Sequence, residues 1–243
     1  MTGRQSVAAA LALALLALSS VSIHCGRTLR IANVDGAPVE GVFVIYHYEG
    51  QRLSLAHGTS YEAGGRSIVQ GDSSGHVEIS RSLHVHWPFP IETNPELRVD
   101  LVYAPALHNG WATIGDRAIV QPGAFQVAGD LSNVQLADLS DKPDLWEGTL
   151  MNLSSIIDRL IGHQETAALT RVLAGHFREE YRAFLNTYGT IVRSRPPMPA
   201  GLTEGEVRAW TEMTDRDLDK EPLWGDVARR RFAREADRFA RLE

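Results

Sequence analysis

Histidine is the residue type in this sequence with the clearest potential for chemistry, because six of the nine histidines lie within residues 47–108. His84 and His86 are two residues apart, so on a β-strand their imidazoles would project from the same face and could share one Zn²⁺ or Cu²⁺ ion. A third ligand would have to come from another strand, where His76 and Glu78 are candidates. The simpler interpretation is two surface histidines beside the Trp-Pro sequence that comes after them.

A second candidate pair is His176 and Glu180, which are four residues apart in a predicted helix and would share one helix face. As catalytic groups they would need a nucleophile or a water molecule that the sequence does not identify. We therefore interpret them as an exposed helix pair. The sequence contains no H-E-x-x-H zinc motif, no P-loop and no dinucleotide fingerprint, and we predict neither catalytic residues nor a cofactor.

The overall composition is typical of a globular protein. The 243 residues are 44% hydrophobic and 22% charged, enough for one large or two modest domains. The formal net charge is −6, and no concentrated basic surface is evident. Because phosphate binding needs such a surface, nucleic acid is not expected as a partner.

The first 26 residues have the pattern of a signal peptide. Arg4 precedes an apolar run over residues 7–18, and a run of about a dozen residues is too short for a spanning helix, which needs roughly 20. We therefore expect an exported protein, either periplasmic or membrane-anchored in a bacterial cell envelope.

Two processing sites are compatible with this signal. Ser20 and Ser22 place small residues at −3 and −1 of a cleavage site that would make Ile23 the first mature residue. Alternatively, Cys25 is the lipidated first residue of a lipoprotein, although His24 departs from the small residue that usually precedes such a cysteine. Cys25 is the only cysteine, so no intrachain disulfide can form.

Residues 27–139 carry six to eight short strand patterns, separated by glycine, proline and asparagine, which is typical of a β-sandwich. The strand over residues 42–48 has apolar side chains on both faces and is therefore expected to be central. The pattern further predicts a first strand over 27–33, a loop over 51–65, a hairpin of strands 66–70 and 76–80, and a strand over 96–103 with Asp100 facing outward.

Five residues in this half have turn-forming chemistry. Pro38 fixes φ and suits the entrance of a strand, and Gly36 and Gly41 let the chain bend around it. Asp72 can accept a hydrogen bond from its own backbone two residues on, and Gly75 can adopt positive φ. Residues 72–75 are therefore predicted to form a tight turn.

These turns belong to a longer pattern, x-G-x-P-V-x-G-V-x-V and, about thirty residues later, D-x-x-G-x-V-x-I. The pattern resembles that of the carboxypeptidase regulatory-like domain, a transthyretin-like β-sandwich. The resemblance covers the first half of the mature chain and implies a fold and an accessory module, not a reaction. The matching residues are Gly36, Pro38, Val39, Gly41, Val42, Val44, Asp72, Gly75, Val77 and Ile79.

The hydrophobic period changes from 2 to 3.6 near Ser140, which predicts a helical region over residues 140–243. Residues 153–161 and 169–188 are predicted to form an αα-hairpin, and Thr203 with Glu206 a capping box that opens a third helix. A proline-rich stretch over 195–199 is a linker or stiff strap, and the last segment carries six arginines. These arginines form either a solvated face or a helix face that contacts anionic lipid or an acidic partner.

The predicted fold class is therefore α+β: a signal peptide over 1–26, a Greek-key, transthyretin-like β-sandwich over 27–139, and about four helices over 140–243. The function that we expect is non-enzymatic: an envelope module, for example an immunity-type or secretion-associated lipoprotein, that recognises a protein, peptide or glycan. The alternative is a metal-dependent hydrolytic enzyme that uses the histidine-rich face of the sandwich.

Lipidation of Cys25 can be tested by cell fractionation. A diacylglyceryl group contributes ~0.8 kcal/mol of membrane affinity for each buried CH₂, so we expect the parent in the membrane fraction and Cys25→Ser in the soluble fraction. Mass spectrometry of the mature parent should show the acyl mass. A soluble parent that begins at Ile23 and carries no acyl group would contradict the lipoprotein hypothesis.

Overall fold

The computed structural model describes residues 20–54, 58–63, 66–86, 91–114, 117–119, 125–127 and 133–242. The chain divides into two compact units. The β unit comprises the described residues up to Ala106 together with Trp111–Ala137, and the helical unit comprises Leu107–Gly110 together with the described residues from Asp138 onward.

The strands of the described residues belong mainly to the β unit. In chain order they are β1 (Ser20–His24), β2 (Arg27–Asn33), β3 (Phe43–Ser54), β4 (Gly58–Ala63), β5 (Ser67–Gln70), β6 (His76–Ile79), β7 (Ser82–His86), β8 (Ile91–Ala104), β9 (Asn109–Ile114), β10 (Arg117–Ile119), β11 (Phe125–Val127) and β12 (Asn133–Leu136).

These strands form sheets of six, four and two members. The largest has the order β10-β9-β8-β3-β4, with β5 also paired to β3, and the second has the order β11-β12-β2-β6. The β12–β2 pair is parallel, whereas β1–β7, β2–β6, β3–β4, β3–β5, β3–β8, β9–β10 and β11–β12 are antiparallel. The third sheet pairs β1 with β7, so either of the two predicted processing sites would remove part or all of β1.

The core of the β unit results from the side-chain alternation of its strands. Leu29 and Ile31 of β2 are buried at every second position, as a strand with one face on the core requires. In β3, the consecutive residues Phe43, Val44 and Ile45 are all buried. This strand is flanked by β8 on one side and by β4 and β5 on the other, so the predicted central position is confirmed.

The turn after β5 connects two sheets. Asp72 Oδ1 accepts hydrogen bonds from the backbone N–H of Ser74 and of His76, each at 2.9 Å, and Gly75 has φ of 73°. Before the turn, β5 pairs with β3, and after it β6 pairs with β2. The predicted pairing of these two strands as one hairpin is therefore wrong, because the chain changes sheets at the turn.

Two further strand predictions are wrong. Within the loop expected over 51–65, the described residues are instead the end of β3 and the whole of β4, in which Glu49–Ser54 pairs with Gly58–Ala63. Asp100, expected to face outward, is buried. The alternation in β8 is interrupted because Ile45 lies opposite Leu101 and Tyr46 lies opposite Val99, which leaves Asp100 as an extra residue in a β-bulge.

The helical unit contains four α-helices within the described residues: α1 (Pro143–Leu160), α2 (Ala167–Tyr188), α3 (Glu204–Lys220) and α4 (Trp224–Phe239). The predicted fold class, α+β with a β-sandwich and then about four helices, is confirmed. Pro143 occupies the first turn of α1, where its missing N–H costs no hydrogen bond. Among the described helices, none has both the length and the apolar composition needed to cross a membrane.

Gly75 and Gly36 offer a matched test of the close packing at the Asp72 turn. Both have positive φ, so an alanine at either position should cost about 1 kcal/mol in backbone strain. A Cβ at Gly75 would also lie 2.3 Å from the Ile31 carbonyl oxygen, whereas a Cβ at Gly36 would meet nothing within 4 Å. We expect Gly75→Ala to lower the free energy of unfolding, measured in urea, by at least ~1 kcal/mol more than Gly36→Ala does. Equal losses would contradict this packing.

Candidate functional site

A polar cluster of the helical unit is centred on the buried carboxylate of Glu180. Its side chain is only 4% exposed, and its Oε2 atom accepts hydrogen bonds from Trp146 Nε1 at 2.6 Å and from His108 Nδ1 at 2.9 Å. The His108 ring also stacks on the Trp146 indole, with 4.0 Å between ring centroids. A buried carboxylate is thereby supplied with two donors, as burial of a charge requires.

The backbone around His108 is held by α1. Thr149 Oγ1 donates to the His108 carbonyl and accepts from the Gly110 N–H, both at 2.8 Å. Asn152 Nδ2 donates to the Gly110 carbonyl at 2.6 Å. These bonds hold His108 at φ of 53°, a conformation that histidine adopts more readily than most residues but that still carries strain.

A histidine bonded to a buried carboxylate is an arrangement that orients an imidazole for general base catalysis. Catalysis would further need a nucleophile or a bound substrate at the other ring nitrogen. Within the described part of the chain, no serine, threonine or cysteine side chain is hydrogen-bonded to the His108 ring. The contacts of the ring are those of a packing residue: Glu180 at its edge and Trp146 on its face.

The helix pair predicted from the sequence is corrected by this cluster. Glu180 is buried at the centre of the helical unit and is not part of an exposed pair. His176 Nδ1 lies 3.4 Å from Glu179 Oε2, one residue before the predicted partner. The i, i+4 spacing alone could not reveal that Glu180 points inward, because the side chains that bind it come from residues 108 and 146.

A second histidine–carboxylate pair lies in the β unit. His47 Nδ1 is 2.9 Å from Asp100 Oδ2, and Arg66 Nε donates to the same oxygen at 3.1 Å. The bulge in β8 gives Asp100 this inward direction. Asp100 is therefore bonded by the Arg66 guanidinium and by a ring nitrogen of His47, and such partners are what a buried carboxylate requires.

The Asp72 turn holds a third histidine contact. Ser74 Oγ donates to Asp72 Oδ1 at 2.7 Å and is 2.8 Å from His76 Nδ1. Since the single hydroxyl proton of Ser74 is directed to Asp72, His76 donates to the hydroxyl and is not a base for it. The Ser74 hydroxyl and, to a smaller extent, the backbone N–H of His76 lower the pKa of Asp72.

Residues 71–75, which include this turn, contain the sequence G-x-S-x-G, the motif of a nucleophile elbow. In a nucleophile elbow the serine connects a strand to a helix, whereas Ser73 lies between the strands β5 and β6. The sequence therefore matches the motif, but the local structure is not that of a nucleophile elbow.

The metal hypothesis concerns two residues of β7. His84 and His86 pair through their backbones with Ser22 and Ser20 of β1, and their side chains lie outside the described part of the structure. Among the residues whose surroundings are described, no three His, Cys, Asp or Glu side chains converge to hold a metal ion. The proposed site at His84 and His86 stays a prediction.

The turn residues and Cys25 are all within the described chain. Gly36 and Gly41 have φ of 83° and 70°, and Pro38 forms a bridge with Ala32. Cys25 is an exposed free cysteine whose carbonyl accepts a hydrogen bond from the Tyr48 hydroxyl at 2.8 Å. The start of β2 is thus anchored to β3 directly beside the predicted lipidation site.

An open groove of about 340 Å³ lies in the helical unit. One wall is a single face of α3, whose residues recur at i, i+3, i+4, i+7 and i+8. The opposite wall is the chain over 193–197, with Asp144 and Trp224 beside it. The residues of the α3 wall are Trp210, Met213, Thr214, Asp217 and Leu218.

Charged side chains line this groove. The Arg193 guanidinium lies 4.6 Å from the centroid of the Trp224 ring and within 3.5 Å of a Glu221 carboxylate oxygen. It is also 3.8 Å from Asp144, and Arg195 is paired with Asp215 on α3. The groove therefore combines aromatic faces with both signs of charge, a composition suited to binding a polar ligand that has an apolar part.

The arginines of the last segment are largely paired within the helical unit. Arg229 contacts Asp226, Arg238 contacts Asp158, and Arg231 lies 3.1 Å from the Glu147 carboxylate. Burial raises the pKa of Glu147, and Arg231 is the first of the nearby charges that oppose the rise. These pairs support the interpretation of a charge-balanced face.

Searches of protein-family models, of curated proteins and of solved structures found no match to this chain. The function proposed for the chain therefore depends on the geometry of its described residues.

Sequence reasoning missed three of these features. His108 and Trp146 had no spacing signal that linked them to Glu180. The inward position of Asp100 depends on a bulge that the alternation of β8 does not encode. The groove had a usable signal, since Trp210, Met213 and Asp217 share a helix face and the prolines of 195–199 come after a helix end.

Glu180→Ala tests the buried cluster. The substitution leaves the buried Trp146 N–H and the part-buried His108 ring without their acceptor, and we expect it to lower the free energy of unfolding by about 3 kcal/mol. Glu179→Ala is the matched control, because that side chain is 72% exposed and its loss should cost less than ~0.5 kcal/mol. Urea unfolding monitored by tryptophan fluorescence measures both. Similar values for the two variants would contradict a central role for Glu180.

Proposed function

We propose that this chain is a non-enzymatic binding protein of the bacterial cell envelope that recognises a protein, peptide or glycan partner. The observation that carries this proposal is the groove along α3. Its side chains include two tryptophans, a methionine and two prolines, and Met213 is 48% exposed. Apolar side chains that remain open to solvent in a concave surface favour a binding role.

The histidine contacts also favour binding over catalysis. His47 and His108 each bond a buried carboxylate, and His76 bonds a turn hydroxyl. In each case the partners are those of a folded turn or core, with no reacting group beside them among the described residues. We therefore assign these pairs to the stability of their units.

For the β unit we propose a carboxypeptidase regulatory-like sandwich that serves as a scaffold. The support is that the two parts of the sequence pattern meet: a Cβ at Gly75 would lie 3.3 Å from Pro38 Cβ and 3.2 Å from the Val39 nitrogen. This packing gives a structural reason for the spacing between the two parts of the pattern, which supports the resemblance. Export and anchoring through Cys25 are part of the same proposal and rest on the leader sequence.

Site-specific photo-crosslinking tests the binding function. A photoreactive phenylalanine derivative is placed at Met213 in the groove or at Val172 on α2, which is exposed to a similar extent, 43% against 48%. On irradiation of the cells that produce the protein, we expect one discrete adduct from position 213 and none from position 172. The mass of the adduct, determined by mass spectrometry, then identifies the partner.

Two outcomes would contradict the proposal. The absence of any adduct at position 213 would mean that the groove is not a binding surface. The same mixture of adducts at positions 213 and 172 would mean that the protein makes only random contacts in the envelope.

A further inference from the structure

The groove contains two sets of aromatic and carboxylate groups, and only one of them already holds a cation. In the first set the protein supplies its own cation, since the Arg193 guanidinium lies over the Trp224 ring and near the carboxylates of Glu221 and Asp144. Such contacts combine cation–π attraction with ion pairing. This set shows that the groove accommodates a cation between an aromatic ring and carboxylates, and Arg193 already fills that position.

Along the α3 wall, the same two kinds of group are present without a cation. Trp210 and Asp217 are seven residues apart on α3 and therefore face the same way, and both line the groove. Within the described residues, no arginine or lysine lies over the Trp210 ring, and none pairs with the Asp217 carboxylate. Met213 lies between them on the same face and is exposed.

The balance of charge around the groove also favours a cationic ligand. The lining and its border carry the carboxylates of Asp144, Asp215, Asp217 and Glu221 and the guanidinium groups of Arg193, Arg195 and Arg230. Negative groups therefore outnumber positive ones, and Asp217 is the member that lacks a basic partner among the described residues. A ligand with a positive charge would therefore complement the Asp217 carboxylate.

The wall opposite α3 makes the site pre-organised. Pro196, Pro197 and Pro199 have fixed φ, and the residues that precede them are confined to extended conformations. The stretch is tied down by the Val192–Leu223 bridge and by the pairing of Arg195 with Asp215. Because this wall is already ordered, ligand binding costs it little further conformational entropy.

We infer that the groove binds a basic peptide segment of a partner protein, with a lysine or arginine side chain placed over Trp210 and against Asp217. The aliphatic stem of that side chain fits beside Met213, and its charged end is matched by the carboxylate. This inference rests on the proposed binding function and specifies its ligand. An acidic segment would meet repulsion from Asp217, and a purely apolar one would leave the carboxylate without a partner.

Fluorescence anisotropy with two labelled nonapeptides tests the inference on the full chain. One peptide repeats Lys-Gly-Ser and the other Glu-Gly-Ser, and both are titrated at the same ionic strength. We expect saturable binding of the lysine peptide and none of the glutamate peptide. Trp210→Ala and Asp217→Asn should each weaken binding of the lysine peptide about tenfold.

Asp219→Asn is the matched control. It removes the same charge from the same helix, but Asp219 does not line the groove. We expect a change of less than about twofold in the dissociation constant, because an exposed charge away from the site is screened. Circular dichroism of each variant verifies that α3 is retained.

Equal weakening by Asp217→Asn and Asp219→Asn would overturn the inference, since it would mean that only the net charge attracts the peptide. Equal binding of the two peptides, or binding of neither, would also overturn it. These outcomes are separate from failure of the binding function. An adduct at position 213 with no preference for the lysine peptide would leave a binding groove of different specificity, whereas no adduct at position 213 would remove the binding function itself.

Discussion

The carboxylate of Glu180 is the interaction on which the helical unit depends. A charge that is almost fully buried must be matched by donors, and those donors come from Trp146 of α1 and from His108 of a segment that precedes the helices in sequence. The aromatic rings of Phe184 and Tyr188 then pack edge-on against the Trp146 indole. One carboxyl group thus fixes the mutual position of α1, α2 and residues 107–110, and this geometric demand explains the strained backbone of His108.

Glycine sets the other close constraints within each unit. In the helical unit a Cβ at Gly225 would lie 2.4 Å from the Gly189 Cα, so the end of α2 and the start of α4 meet backbone to backbone. In the β unit Gly75 occupies a comparable position against Ile31. At both places a residue with any side chain would separate elements that the rest of the core holds together. Gly75 additionally needs positive φ, whereas Gly225 is required for space alone.

The sequence predicted the parts of the fold that local chemistry determines. The period change near Ser140, the capping box at Thr203 and the turn at Asp72 all arise from the residues themselves. It could not predict where strands change partners: β5 and β6 flank a tight turn as hairpin strands do, and only the pairing with β3 and β2 separates them. The inward position of Asp100 likewise depends on a bulge set by the register with β3. Glu180 was placed on the wrong side of α2 because its partners are 34 and 72 residues away in the chain.

The helix that forms the groove is stabilised differently from its neighbours. Of its residues only Thr214 is buried, so α3 gains little from the core, and the Thr203–Glu206 capping box supplies a local substitute. The hydroxyl of Thr203 and its backbone N–H lower the pKa of Glu206, which keeps this carboxylate ionised at the positive end of the helix. The cap and the proline-rich stretch hold α3 without using Trp210 or Asp217, so this pair of side chains is not among the contacts that hold the helix. These two side chains can therefore be selected for a ligand at little cost to the stability of the unit.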